Sequence, residues 1–170
     1  PYLKHQPMKK LLVMFGTLLS LSALAQTDKL NPEKITREFF LQKTIELKGN
    51  EGTVFPEMKA GDKVVFQYSK QSAENPMVSD DEMFESVLFE ANAEWNSFEF
   101  RKKMVLSKAT YQLGCFCVER GYFEIKSGYI KGKKLRNGNY FIEANVAFTF
   151  KNGQSKSIKF KGEFKVVHAG

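Results

Sequence analysis

Residues 140–166, "YFIEANVAFTFKNGQSKSIKFKGEFKV", carry the pattern that decides the fold. Tyr140, Ile142, Ala144, Val146, Phe148 and Phe150 alternate with Glu143, Asn145 and Thr149. That period of two is the signature of a strand with one face buried and one wet. Asn152-Gly153 follows, a dipeptide suited to the left-handed backbone of a tight hairpin turn. The return strand places Ile158, Phe160, Phe164 and Val166 inward against Lys159, Lys161, Glu163 and Lys165 outward. Gly162 falls in an inward slot, which predicts a bulge or a close approach by another element.

Working outward, Ser127-Gly128 and Asn137-Gly138 mark two further turns, so residues 109–167 read as an antiparallel meander of about five strands. In the N-terminal half, Phe39, Leu41, Ile45 and Leu47 predict one strand and Val64, Phe66 and Tyr68 another. Gly49-Asn50-Glu51-Gly52 and Ala60-Gly61-Asp62 read as turns and residues 69–79 as a loop. Ser79-Asp80-Asp81-Glu82 has capping-box spacing, and Phe84, Val87, Leu88, Ala91 and Trp95 fall at helical intervals. These predict a helix near residues 80–95, although "SVLFEA" also reads as a strand. The whole is expected to be mainly β: an antiparallel meander of about seven or eight strands, curled into a sandwich or open barrel, with one helix. Sixteen phenylalanines supply a core large enough to fold without a covalent staple.

Met8-Lys9-Lys10 followed by "LLVMFGTLLSLSALA" has the charged, apolar and small-residue regions of a secretory signal. Residues 1–26 are therefore read as upstream residues plus signal peptide, with cleavage near Ala25-Gln26, and 27–170 as one domain. The product is expected to be periplasmic or secreted, with no membrane span in the mature chain, since no later stretch reaches the roughly 18 apolar residues a span needs. The formal charge of +7 becomes +4 when Lys4, Lys9 and Lys10 are removed. Residues 27–100 hold 8 Lys and Arg against 15 Asp and Glu, while residues 101–170 hold 15 against 4. Halves of −7 and +11 either complement each other within the fold or present a bipolar surface that steers an acidic partner.

Both cysteines lie in "YQLGCFCVERGYFEI", residues 111–125. On a strand, Cys115 and Cys117 share one face with Cα atoms about 6.5 Å apart, at the edge of disulfide range, so a bond requires a local bend. Three readings follow. The thiols are small buried hydrophobes or a structural staple; or they form an easily reduced redox pair, as the oxidising compartment allows; or they hold copper(I) or zinc. Zinc would need two more ligands, and His168 is the one histidine of the mature chain. That histidine is also the sole candidate base for a cysteine nucleophile, so catalysis is not expected.

Asp80, Asp81, Glu82 and Glu85 do not fit a calcium loop, and helix N-terminal charge explains them more simply. Lys131, Lys133, Lys134 and Arg136 form a basic run at a hairpin, read either as a solvated turn or as a partner-binding patch; nucleic acid is not expected as the partner. The leading functional reading is a non-enzymatic binding or interaction domain for a protein or small molecule outside the cytoplasm. The alternative is a thiol-redox or copper-handling protein using Cys115 and Cys117. Two outsiders are a carrier of hydrophobic ligands and a protease inhibitor, the latter because Asn75-Pro76 sits in a loop as it does in exported inhibitors on immunoglobulin-like folds.

The stretch from Trp95 through Tyr111 to Cys115-Phe116-Cys117, then "GYFEIKSGYI", resembles uncharacterised secreted bacterial domains in which a helical Trp precedes an aromatic strand ending in Cys-Phe-Cys and a hairpin. The resemblance implies secretion and a strand for the thiols, and it implies no activity. The leader is similar to those of Gram-negative bacteria.

Overall fold

The structure, a computed structural model, describes residues 32–49, 54–73, 82–101 and 104–167. Residues 1–26, read above as upstream residues and leader, the turn expected at residues 50–52, Asn75-Pro76, the expected capping residues Ser79 to Asp81, and His168 lie outside the described residues.

The described chain is built from strands: β1 (Lys34–Lys48), β2 (Phe55–Gln71), β3 (Phe84–Asn92), β4 (Ser97–Phe100), β5 (Thr110–Gly114), β6 (Gly121–Glu124), β7 (Ser127–Lys134), β8 (Tyr140–Thr149) and β9 (Ser155–Val166). They form one mixed sheet in the order β4, β7, β8, β9, β1, β2, β3, β5, β6. Every pairing is antiparallel except β1 with β9, a short parallel junction at Glu38 with Lys165 and Phe39 with Val166. Among the described residues the sole helical element is the 3-10 turn Met104–Ser107.

The β8–β9 hairpin forms as its alternation predicts, with Phe141 opposite Glu163 and Val146 opposite Ile158. Ile142 pairs with Gly162 in unbroken register, so Gly162 is no bulge; a Cβ there would lie 2.8 Å from Arg37 Nε, which makes it a close approach. Gly128 corrects the turn expected at Ser127-Gly128. It sits inside β7 opposite Val146 at φ 106°, and a Cβ would lie 2.1 Å from the Asn145 carbonyl oxygen.

The helix expected near residues 80–95 is not seen, and β3 occupies its centre. Val87, Leu88 and Phe89 suit a pleated surface, and β2 and β5 pair with the strand along both edges. Because both of its faces are covered, its apolar residues run together and imitate helical spacing. Trp95 lies beyond the strand, 43% exposed. The expected five-strand meander is also divided: β5 and β6 form a hairpin at one edge of the sheet, while β7, β8 and β9 lie on the other side of β1.

The two sides meet through aromatic rings. Phe66 on β2 stacks on Phe89 at 5.0 Å and meets Tyr140 of β8 edge-on at 5.1 Å. Tyr68 stacks on Phe160 of β9 at 4.4 Å. The Phe66–Tyr140 contact joins strands three places apart in the sheet order, and the Tyr68–Phe160 contact joins the two strands that flank β1. Each large buried ring removes enough apolar surface to stabilise the fold by roughly 2 to 3 kcal/mol in transfer terms.

Two buried glutamates of β3 add polar ties. Glu90 accepts hydrogen bonds from the Ile45 backbone N–H at 2.6 Å and Thr44 Oγ1 at 2.9 Å and pairs with Lys108 at 3.0 Å. These contacts hold the part of β1 that follows its bulge at Gln42 and Lys43. Glu85 accepts from Tyr111 Oη at 2.6 Å and from Lys156 Nζ at 2.7 Å, joining β3, β5 and β9.

Candidate functional site

Two regions predicted from the sequence can be placed, and the fold sets them apart: the cysteine pair at the tip of one hairpin and the basic residues on a sheet face.

Strand β5 ends at Gly114, paired through Leu113 with Gly121 at the start of β6. Six residues, 115–120, close this hairpin. The cysteines are thus past the strand, not on its pleated surface as expected, and the bend at 115–117 brings their Cα atoms to 5.2 Å. Cys115 and Cys117 are joined in a disulfide, which sets aside free buried thiols and leaves the structural staple and the redox pair. Cys115 is half-buried against the core, whereas Cys117 is exposed. Phe116 and Val118 beside it are 78% and 96% exposed. A shallow groove alongside is lined by Gln71, Met83, Phe84, Cys115 and Phe116.

Joined sulfurs offer no thiolate, so copper(I) or zinc would require prior reduction. Among the described residues no group of three or more His, Cys, Asp or Glu is arranged to hold a metal ion.

The second region is the outer face of β7, β8 and β9. Pairing aligns Tyr129 with Asn145 and Lys159, then Lys131 with Glu143 and Lys161 one row on, then Lys133 with Phe141 and Glu163. Lys159, Lys161 and Lys165 are exposed, and Phe141 is 41% exposed. The carboxylates on this face already have partners. Glu143 accepts from Tyr129 Oη at 2.7 Å, Glu163 from the Asn137 and Asn139 side chains, and Glu99 from Arg101. The Glu143 bond raises the Tyr129 pKa, because ionising the phenol would lose it. Lys131 Nζ and Arg101 Cζ each stand 5.1 Å from the Tyr129 ring centre, within cation–π range. Among the described residues, Lys131, Lys133, Lys159, Lys161 and Lys165 make no ion pair.

The predicted basic run is therefore split. Lys131 and Lys133 lie on this face, Lys134 turns to the other side over the Tyr140 ring at 5.8 Å, and Arg136 is exposed in the following turn. Lys159, Lys161, Lys165 and Arg101 complete the patch. The alternation of β9 already pointed its lysines outward; what it lacked was the register that sets them beside Lys131.

No helix among the described residues is long and apolar enough to cross a membrane. No family model, curated protein or solved structure matches this chain.

Proposed function

We propose that this is an exported, non-enzymatic binding domain that engages an acidic protein surface through the outer face of β7, β8 and β9. One observation carries the reading: five lysines share a sheet face on which the carboxylates are already bonded to neighbours of their own. Their charge is thus free to meet a partner's. Long-range attraction of this kind raises the encounter rate and fixes orientation. Tyr129 and the half-exposed Phe141 add apolar contact at the centre of the patch.

In the same proposal the nine-stranded sheet closes as a sandwich or open barrel, a reading supported by ring contacts between its two sides. Export rests on the leader at residues 8–26, and membership of the secreted bacterial domains rests on the Trp95-to-Cys117 resemblance.

Charge reversal tests the site. Lys131→Glu with Lys161→Glu should weaken binding to poly-L-glutamate by about tenfold or more, as loss of complementary charge predicts. Lys151→Glu, at the far turn of the β8–β9 hairpin, should leave it nearly unchanged. Equal effects from the two would remove the face from the account.

A further inference from the structure

We propose that Cys115–Cys117 is an exchangeable disulfide that accepts two electrons from the dithiol of an extended, apolar polypeptide segment, with Cys117 as the sulfur attacked.

The first ground is that the bond does little as a staple. Cross-linking stabilises by restricting the unfolded chain, and the effect grows with the loop closed. A sequence separation of 2 closes about the smallest loop possible, so the restriction it imposes on the unfolded chain is among the weakest a disulfide gives. The hairpin is already held on both sides of the cysteines by the Leu113 with Gly121 and Gln112 with Tyr122 pairings. Its strands are anchored by the buried Tyr111 and Phe123.

The second ground is placement. The bond stands at a hairpin tip, with one of its cysteines half-buried and the other exposed. Exchange requires an incoming thiolate to approach along the S–S axis, so access decides which sulfur is attacked. Cys115 is half-buried against the core and Cys117 is exposed, which makes Cys117 the more accessible target.

The third ground is the flank. Phe116 and Val118 bracket Cys117 and project into solvent, where large apolar side chains have no structural reason to sit side by side. They would grip a partner chain whose own apolar residues are uncovered, as in a segment not yet folded.

A partner thiolate attacks Cys117 Sγ; the partner–Cys117 bond forms as the Cys115–Cys117 bond breaks, and the electron pair leaves on Cys115, which takes a proton from water. The partner's second thiolate attacks its own sulfur in this mixed disulfide. That closes the partner's disulfide and releases Cys117, which is protonated in turn. The partner is oxidised by two electrons and Cys115 and Cys117 end as thiols.

The test uses the signal-cleaved chain with three probes: dithiothreitol, glutathione, and a synthetic apolar peptide carrying two cysteines. Mass spectrometry after alkylation should show one equivalent of peptide disulfide formed per chain, while circular dichroism shows the fold retained. Peptide mapping of the acid-quenched glutathione adduct should find glutathione on Cys117. In single variants, the thiol left by Cys115→Ser should react with a disulfide reagent about tenfold faster than that left by Cys117→Ser, as exposure predicts. Phe116→Ser with Val118→Ser should slow reaction with the peptide and not with dithiothreitol. Reduction that occurs only on unfolding, glutathione found on Cys115, or no peptide oxidation would each overturn the proposal. The adduct mapping uses the native sequence, so the outcome stands even if a variant fails to fold.

Discussion

The ring of Tyr111 on β5 stacks on that of Phe148 on β8 at 3.8 Å between centres with planes 15° apart. The two strands are far apart in the order of the sheet, so this contact ties its two sides together. Phe123 joins them at 5.9 Å from Phe148, and Phe150 closes on Phe123 at 5.1 Å, making an aromatic seam. Phe148→Ala opens a cavity in that seam and should cost about 3 to 5 kcal/mol. Denaturant unfolding measures it. A loss below about 1 kcal/mol, smaller than any tightly packed core ring gives, would mean that the two sides do not depend on this contact.

The hydrogen-bonded group of Glu85, Tyr111 and Lys156 makes stability depend on pH at both extremes. Burial opposes ionisation of Glu85, but the bonds from Lys156 and Tyr111 outweigh it, and its pKa is lowered from the ordinary 4.5. A lowered carboxylate contributes stability above 4.5 that is lost as pH falls through its folded value. Burial, then the bond to Glu85, raises Tyr111 above its ordinary 10.0. A raised phenol contributes stability below 10.0 that is lost as pH rises beyond it. Melting temperature should therefore fall on both sides, and Tyr111→Phe should flatten the alkaline side while costing about 1 to 3 kcal/mol at neutral pH. An unchanged alkaline slope in that variant would assign the effect elsewhere.

Replacing both cysteines by serine should leave the fold nearly as stable as before, with a loss below about 2 kcal/mol, because the closed loop is so short. Thermal unfolding of the oxidised native chain and the double variant gives the difference directly. A loss of about 2 to 5 kcal/mol, the usual consequence of removing a structural disulfide, would show the bond to be a staple.

The parts of the fold legible in the sequence were those where one face is buried and the other wet. The β8–β9 hairpin has a period of two along its whole length and an Asn-Gly turn, and it formed as read. β3 defeated that reading because both of its faces are covered. Its buried Glu85 and Glu90 look like surface charges until Tyr111, Lys156 and Lys108, distant in sequence, are brought beside them. β4 is four residues long and carries too little pattern to be noticed, yet it pairs with β7 and seats Phe98 and Phe100 in the core. At the candidate sites the residue types were visible and the register was not. The bend after Gly114, which joins the cysteines, and the alignment of Lys131 with Lys161 are both set by tertiary pairing.

The salt dependence of binding tests the functional reading most directly. Association of residues 27–170 with immobilised poly-L-glutamate, followed from about 0.05 to 0.5 M sodium chloride, should weaken steeply as the screening length shrinks from about 14 Å to 4 Å. Reversing Lys131 and Lys161 to glutamate should flatten that dependence as well as lower the affinity. An affinity indifferent to salt, or the same slope in the reversed variant, would contradict recognition through this lysine-bearing face.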